Sequence, residues 1–322
     1  MKKLLIMGGS YFIGKRVVNA CKDTFETYVL NRGNKPLKYS NVIELKADRN
    51  ILDEMKQALN GIDFDFIVDV SGLNKAHEEI LVQSINLKKL KKFIFISSSA
   101  VYNIEVLKAP FKEDEELGGK SPFADYARNK IEAESYLTQT IDPKSLFMLR
   151  PPVVYGEENY VLRERLIFKM IEEDMNIYIP KTNNQIQFVY ANDLALQIKD
   201  ALLGKINPGI YNVGTLKAPH FDEWVHLCER VLGKKANIIF VDTKKVQIEA
   251  RQFFPFFDYD NILDVTKIRN YSDIETPMEL GLQNAYRDYK ENRDFVIIPE
   301  KMMHIFDELN VIFSNSTKKE TI

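Results

Sequence analysis

The first half of this 322-residue chain alternates short apolar runs with helical patterns, and this alternation constrains the fold more than any other feature. The runs predict six strands: Lys3–Met7, Thr27–Asn31, Val42–Lys46, Phe66–Val70, Phe93–Ser97 and Leu146–Leu149. Helical patterns begin between them, near Phe12, Leu52, Lys75 and Phe123. The pattern predicts βαβ units and an α/β, doubly wound parallel sheet, which binds ligands at the carboxyl ends of its strands.

The regular alternation breaks after Arg150-Pro151-Pro152. Beyond it we predict a helix over 163–174, a strand near 177–179, a strand and helix over 186–202 with Asn192 or Asp193 as N-cap, and a strand and turn over 209–214. We expect a Rossmann-type dinucleotide-binding domain of residues 1–152 plus about 186–214. A smaller mixed α/β substrate lobe would comprise about 153–185 plus 215–295, and a C-terminal helix and tail would cover 296–322.

Charge and cysteine content exclude several classes of protein. A net charge of -2 and a pI near 6.2 give no electrostatic footprint for nucleic acid, which makes such a partner improbable on charge alone. The two cysteines, each within a helical pattern, suggest neither a disulfide framework nor a metal site. The apolar run at the start is too short for a signal peptide, and no segment is long enough to span a bilayer. We therefore expect a cytoplasmic protein with a small-molecule substrate.

The stretch LLIMGGSYFIGKRVV (4–18) reads as strand, tight turn and helix. Its glycines are Gly8, Gly9 and Gly14. Such a turn aims backbone N–H groups and a helix N-terminus at a pyrophosphate. Tyr11 stands where the G-x-x-G-x-x-G pattern has its middle glycine, the one that lets the cofactor approach the backbone. A turn without any ligand therefore stays an alternative on this stretch alone.

The second and third strands end in residues that bear on the choice of cofactor. A carboxylate after the second strand would accept hydrogen bonds from the ribose hydroxyls of NAD, but this chain has Asn31 and Arg32. A planar guanidinium suits a 2′-phosphate, so the sequence favours NADP over NAD. After the third strand, Asp48 could accept from the adenine amino group, and Arg49 follows it.

Tyr126 and Lys130 lie four residues apart in the helical pattern FADYARNKIEAESYL (123–137) and share one face of the helix. Ser97–Ser99 follow the fifth strand. A phenol with a pKa of about 10 is a poor base at neutral pH, but a nearby ammonium favours its phenolate form. A serine hydroxyl can hold the substrate oxygen in place. The set fits proton transfer at a hydroxyl or carbonyl carbon.

Together with these residues, the motifs MGGSYFIG, ADRN, FIFISSSAVY, DYARNK, LRPPVVYG, FVYANDLA and YNVG resemble the extended short-chain dehydrogenase/reductase superfamily, in its NAD-dependent epimerase/dehydratase group. The motifs cover residues 3 to about 214 in family order. The resemblance implies Tyr126 as catalytic acid/base, and Lys130 as the residue that tunes it and binds the nicotinamide ribose. Ser98 matches the family's serine or threonine, with Ser97 and Ser99 as rivals.

The motifs GGSYFIG, LNRG, ADRN and QFVYANDLA together resemble an atypical subgroup that carries a bulky residue in place of the middle glycine. This subgroup includes the chloroplast stem-loop RNA-binding proteins, so the resemblance implies that Tyr11 does not by itself exclude a cofactor. The candidate cofactor-binding residues are Gly8, Gly9, Ser10, Tyr11, Phe12, Ile13, Gly14, Asn31, Arg32, Asp48, Arg49, Ser71, Gly72, Ser97, Tyr126, Lys130, Pro151 and Val153. No metal site and no membrane partner are expected, and a homodimer stays open.

Departures from the family narrow the reaction. Its dehydratases carry Asp and Glu directly after the catalytic threonine, whereas this chain has Ser99 and Ala100, which disfavours dehydration. Its nucleotide-sugar epimerases place a diphosphate-binding arginine where this chain has Ile186, followed by Gln187. Three arginines elsewhere could replace it: Arg163, Arg165 and Arg251.

Two classes of function remain. The first is an NAD(P)-dependent oxidoreductase or epimerase acting at a hydroxyl/carbonyl carbon of a sugar-like substrate. The alternative is a non-catalytic NAD(P)-binding sensor or an RNA-binding relative. A basic cluster before the fifth strand is interpreted as a solvated helix end: Lys88, Lys89, Lys91 and Lys92. The serine, tyrosine and lysine favour the enzyme.

Overall fold

A computed structural model describes residues 1–119 and 124–317. Its principal sheet has seven parallel strands in the order β10-β6-β5-β4-β1-β2-β3. The strands are β1 Lys3–Met7, β2 Glu26–Asn31, β3 Val42–Lys46, β4 Phe66–Asp69, β5 Lys92–Ile96, β6 Leu146–Arg150 and β10 Gly209–Asn212. The Rossmann-type α/β fold is confirmed, and the six predicted strands are correct to within one residue at each end. The strand order reverses between β1 and β4, so ligands of such sheets bind there.

Alternate residues of each strand enter two hydrophobic cores, one on each face of the sheet. Leu4 and Ile6 of β1 lie in the first core, and Leu5 and Met7 lie in the second. Helices α1 and α6 cover the first face, whereas α2, α3 and α4 cover the second. These helices are α1 Phe12–Cys21, α2 Leu52–Leu59, α3 Lys75–Gln83, α4 Ala124–Thr140 and α6 Ala191–Leu203. Burial of both faces explains why the strands are nearly continuous apolar runs.

Three of the four predicted helix starts agree with the structure, and the fourth, near Phe123, lies outside the described residues. The predicted N-cap of α6 is wrong. The cap is Tyr190, and both Asn192 and Asp193 lie within the first turn. The Asp193 carboxylate instead accepts hydrogen bonds of 2.7 Å from the backbone N–H and from the hydroxyl of Thr276. A contact 83 residues away thus takes the side chain that local pattern assigned to the cap.

The chain divides into two units, each built from three stretches of sequence. The first comprises 1–154, 187–216 and 261–276, and contains the seven-stranded sheet. The second comprises 155–186, 217–260 and 277–322. The expected dinucleotide-binding domain stopped at about 214 and so left out 261–276. Residue 261 is tied to the first unit because the carbonyl of Asn261 accepts from the N–H of Gln187.

The second unit is mixed α/β. Strands β8 (Asn176–Pro180) and β11 (Asn237–Val241) form a parallel pair. Around it lie the helices α5 Glu164–Glu172, α7 Phe221–Leu232, α8 Thr243–Val246, α10 Met278–Asn292 and α11 Glu300–Thr317. The remaining β-strands and α-helix, in the first unit or at its boundary, are β7 Val153–Tyr155, β9 Phe188–Tyr190 and α9 Thr266–Arg269. Within the described residues no helix is both long and apolar enough to cross a membrane.

Candidate cofactor and active site

The turn after β1 has the backbone geometry that its glycines predict. Gly8 has a φ of +84°, a region that side-chain-bearing residues rarely adopt. A Cβ atom on Gly14 would lie 1.9 Å from the Gly8 carbonyl oxygen, and one on Gly9 would lie 2.7 Å from the Val29 side chain. The helix N-terminus can therefore approach β1 only because glycine occupies these positions. This is the cradle that a dinucleotide pyrophosphate requires.

Tyr11, the residue in place of the middle glycine, is the N-cap of α1 in an extended conformation. Its side chain is 38% exposed, and the Lys35 ammonium lies 3.9 Å from the ring centroid. The next residue, Phe12, is buried and has a φ of +37°, which is rare without glycine. The unusual backbone geometry is therefore at Phe12, and Tyr11 is exposed to solvent. Ser10 and Ile13 beside it are half-buried.

At the end of β2, the Asn31 carboxamide is engaged by its own turn. Its Oδ1 accepts from the N–H of Gly33 at 2.6 Å, and its Nδ2 donates to Glu44 at 3.2 Å. Arg32 is exposed next to it. Asp48 accepts from the backbone N–H and the side chain of Asn50, and these bonds lower the pKa of its carboxyl group. The ends of β2 and β3 thus present one oriented polar side chain each, Asn31 and Asp48, and the Arg32 cation lies next to Asn31.

Arg49 points away from solvent into a buried cluster. Its guanidinium donates to both oxygens of Asp69 at 2.9 and 2.7 Å, and to Ser71 Oγ at 2.6 Å. Asp69 is fully buried at the end of β4. Burial alone would raise its pKa, but the Arg49 cation and the N–H of Ser71 hold it below its usual range. Arg49 therefore contributes to this site by fixing Asp69 and Ser71 in the turn after β4.

Ser71 and Gly72 form this turn, at the point where the strand order reverses. A Cβ on Gly8 would come within 2.6 Å of the Ser71 Cβ, so the two turns touch. A Cβ on Gly72 would lie 2.1 Å from Oε1 of Glu78, a fully buried residue of α3. Sequence reasoning missed Asp69 and Glu78. An ionisable residue that closes an otherwise apolar strand is the signal that could have found the first.

Lys130 is 3% exposed, on the second turn of α4. Its ammonium donates to the carbonyls of Gly72 and Ile96, each at 2.6 Å, and lies 4.6 Å from the Phe95 ring centroid. Burial lowers its pKa to about 8. Two of its three protons are thereby directed at strand ends, and one donor remains for a ligand.

Tyr126 lies one turn before Lys130, and its side chain is 39% exposed. The Lys130 ammonium is 5.9 Å from its ring centroid. The helix thus places the predicted tyrosine and lysine on one face, with the tyrosine exposed and the ammonium buried.

The three serines after β5 differ in accessibility. Ser97 and Ser99 are buried, whereas Ser98 is half-buried. Ser98 Oγ accepts from the N–H of Ala100 at 3.2 Å, which leaves its proton to be donated. Pro151, which accepts from the N–H of Ser99, and Val153 are buried in the following segment.

We predicted that the basic cluster before β5 is a helix end, and this prediction is wrong. Helix α3 ends at Gln83, before the cluster, and Lys92 begins β5. The Lys91 ammonium donates to Asp65 at 2.7 Å. The Lys92 ammonium donates to carbonyls of the last turn of α6. Of the four lysines, Lys88 and Lys89 take no part in these contacts, and both are exposed. The positive surface is therefore smaller than the sequence suggests.

The residues of the first unit fit a nicotinamide dinucleotide. The glycine cradle, the polar groups after β2 and β3, and the inward-held lysine all lie at carboxyl ends of parallel strands. Among the described residues no group of three or more His, Cys, Asp or Glu side chains could hold a metal ion. Cys21 and Cys228 are both buried, each with a free thiol.

Comparisons with known proteins agree with this geometry. Residues 4–214 match the family described as the NAD dependent epimerase/dehydratase family. The chain is 27% identical over 309 residues to the chloroplast stem-loop binding protein of 41 kDa b from Arabidopsis thaliana, a match that covers 88% of this chain and 78% of that protein. The stretch that matches the family includes the glycine turn and the Tyr126–Lys130 pair.

Two solved structures share the fold. UDP-glucose 4-epimerase from Thermotoga maritima, solved with UDP-glucose, has a TM-score of 0.73 at 18% identity, covering 90% of this chain and 99% of that one. The dTDP-glucose 4,6-dehydratase from Bacillus anthracis, in complex with NAD, has a TM-score of 0.72 at 19% identity, covering 92% and 98%. An epimerase and a dehydratase thus resemble this chain equally well in fold.

Proposed function

The chain belongs to the NAD dependent epimerase/dehydratase family, and on this premise we propose that it is an NADP-linked oxidoreductase or epimerase acting at a hydroxyl/carbonyl carbon of a sugar-like substrate. The observation that carries the proposal is the placement of Lys130. Its ammonium is buried, fixed by two carbonyls, and one helical turn from Tyr126, which is 39% exposed. A sensor that only binds a cofactor has no need of this arrangement.

Each group of the proposed site has a separate role in the reaction. The N–H groups of the glycine turn would hold the pyrophosphate, and the remaining N–H of Lys130 would donate a hydrogen bond to the nicotinamide ribose. A bound nicotinamide supplies or accepts a hydride at the substrate carbon. Tyr126 takes the proton from the substrate hydroxyl, or returns it to the carbonyl oxygen, while the Lys130 charge stabilises the phenolate. The Ser98 hydroxyl donates a hydrogen bond to the same substrate oxygen and orients it.

Accessibility supports Ser98 over its two neighbours. Substrate reaches a half-buried hydroxyl more readily than the buried ones of Ser97 and Ser99. Ser98→Ala should lower turnover, whereas Ser97→Ala should affect mainly packing. A hydrogen bond made to the reacting oxygen accounts for a loss of about tenfold or more.

Epimerisation or reduction is favoured over dehydration. The two residues after Ser98, Ser99 and Ala100, carry no carboxyl group for removing water. The position of the epimerase arginine holds buried Ile186, and the Gln187 amide is used by the backbone of Thr215 and Leu263. We therefore propose that any diphosphate of the substrate is held by residues other than these.

The cofactor preference follows from the exposed Arg32 beside the engaged Asn31. A guanidinium pairs with a 2′-phosphate, and no carboxylate follows β2 directly to repel it. Arg32→Ala should weaken NADPH binding by about tenfold or more and leave NADH binding unchanged. Calorimetric titration measures both, with Lys38→Ala, another cation of the same loop, as the matched control. Equal affinities for the two nucleotides in wild type would contradict the preference.

The test of the chemistry is Tyr126→Phe, with Tyr136→Phe on the same helix as control. The first change removes the proton donor and should cut turnover by about 10²–10⁴-fold, while NADPH affinity stays within about twofold. UDP-glucose and dTDP-glucose with NADP⁺ or NADPH are the first substrates to assay, because the structural relatives act on or bind such compounds. Full activity in Tyr126→Phe would refute the assignment.

A second candidate function, nucleic-acid binding, is favoured by one observation, the relative named for binding a stem-loop. The net charge of -2 and the engagement of Lys91 and Lys92 weigh against it. We expect weak, strongly salt-dependent RNA binding that the double change Lys88→Ala and Lys89→Ala abolishes. A filter-binding assay with a stem-loop RNA near physiological salt decides. Tight, selective binding that survives this double change would reverse our ranking.

A further inference from the structure

The buried groups around Gly72 leave one negative charge unmatched. The Asp69 carboxylate is neutralised by a bidentate pair with Arg49 and accepts two further bonds, from the N–H of Ser71 and of Gly72, at 2.9 and 2.7 Å. The nearby Glu78 interacts with the Asp69 carboxyl group, and its only ion-pair contact among the described residues is a long one of 3.5 Å to the same guanidinium. Its Oε2 is buried and has no hydrogen-bond partner among the described residues. When Glu78 ionises, its charge is therefore surplus to the Arg49–Asp69 pair.

One positive charge is unmatched on the other side of the same glycine. The Lys130 ammonium donates to two neutral carbonyls, those of Gly72 and Ile96, and makes no ion pair within the part of the chain described. A buried ammonium without a counter-charge is costly and loses its proton readily. Glu78 Oε1 packs directly on Gly72, where a Cβ would be 2.1 Å away. Both side chains thus contact the same residue, Gly72.

We propose that Glu78 is the buried counter-charge of Lys130, a positioning residue that keeps the lysine protonated for the reaction. The inference rests on the proposed function in assigning Lys130 its part in catalysis, but the pairing itself concerns only this chain. Gly72 is required between them because any side chain would displace the Glu78 carboxyl group. Water is excluded, so the interaction is stronger than it would be at a surface.

Other charged groups face this pair and set the sign of its response to pH. Asp69 and Arg49 lie beside Glu78, and His77 and Glu134 are the next titratable groups. Burial and the Asp69 carboxylate raise the pKa of Glu78 well above its usual range, while the Arg49 charge and then the Lys130 charge oppose that rise. The two sites are therefore coupled: when Glu78 loses its proton, the pKa of Lys130 rises.

The experiment is a double-mutant cycle on the full chain without cofactor, using Glu78→Gln, Lys130→Met and both together. Urea-unfolding midpoints are measured from pH 6 to 10, with Glu79→Gln, the half-buried neighbour on α3, as control. We expect Glu78→Gln to be more harmful, or less beneficial, with Lys130 present than with methionine there. The difference should vanish once Lys130 is neutral in every variant. Additive effects at all pH values would overturn the proposal.

A second readout links the pair to the site. Affinity for NADPH should fall on the alkaline side as Lys130 loses its proton, and Glu78→Gln should move that fall to lower pH by about one unit, a tenfold change in proton affinity. Glu79→Gln should not move it. An unshifted profile overturns the role of Glu78 in the site. If the cycle shows coupling while wild type binds neither nucleotide, the pair stands and the proposed function fails.

Should Glu78→Gln alone fail to fold, the double variant keeps the test decisive. Removing both charges of a buried pair is far less harmful than removing one. The double variant should therefore fold, with a circular dichroism spectrum like that of wild type. If it also fails to fold while Lys130→Met folds normally, Glu78 has a role independent of the lysine, and the proposal is wrong.

Discussion

Gly14→Ala sets two well-defined effects against each other. Glycine within a helix is less favourable than alanine by about 1 kcal/mol, so intrinsic propensity alone would make this variant more stable. The added Cβ, however, would lie 1.9 Å from the Gly8 carbonyl oxygen, and ordinary contact begins near 3.4 Å. The start of α1 would have to move by about 1.5 Å from the strand turn. Overpacking of this kind costs about 1–3 kcal/mol, and a rigid backbone contact belongs at the upper end.

We expect Gly14→Ala to lower the free energy of unfolding by about 1–2 kcal/mol net and to weaken NADPH binding by about tenfold or more. Urea denaturation and calorimetric titration measure these two quantities. Asn19→Ala, on the exposed face of the same helix, gives the propensity effect alone and should be neutral or slightly stabilising. A Gly14→Ala protein that is more stable than wild type and binds NADPH equally well would refute the packing argument.

Three further predictions concern charged side chains elsewhere in the first unit. Lys130→Met should weaken NADPH binding by about tenfold as well as reduce turnover, unlike Tyr126→Phe; identical affinities in calorimetry would argue against a ribose contact. Arg150→Met leaves Glu134 buried and unpaired and should cost about 3–5 kcal/mol in urea denaturation, most of it recovered by adding Glu134→Leu. Burial raises the pKa of Asp65, but hydrogen bonds from Lys91 and a backbone N–H lower it to about 2. Its contribution to stability is therefore complete above about pH 4 and lost as pH falls towards 2, and Asp65→Asn should flatten this acid limb.

Local patterns predicted the sheet and the helices that flank it because those signals lie within a few residues. The strand β1 and the start of α1 at Phe12 follow from one apolar run, a glycine turn and a helical period. Tyr126 and Lys130 were found in the same way, since four residues along a helix fix their common face. The burial of Lys130 could not be predicted, because it depends on carbonyl groups 34 and 58 residues away.

The misses share one physical cause, which is a partner distant in sequence. Asp193 fits an N-cap by local pattern, but Thr276 competes for its carboxylate. The cofactor contact predicted for Arg49 stays a prediction, but local pattern did not show that its guanidinium pairs with Asp69, 20 residues away. In each case a charged or polar side chain satisfies a buried group first and is no longer free for the role that its position suggests.

The glycine turn separates two demands that the G-x-x-G-x-x-G pattern combines. Gly8 and Gly14 are required by the chain itself, since one has a positive φ and the other meets a carbonyl oxygen at 1.9 Å. The middle position has an ordinary extended backbone, and Tyr11 there is 38% exposed. Glycine at that position serves the approach of a ligand and not the packing of the fold. The chain therefore departs from the pattern only at the middle position. Of the three positions, this is the one whose residue affects how a cofactor is bound and not how the fold packs.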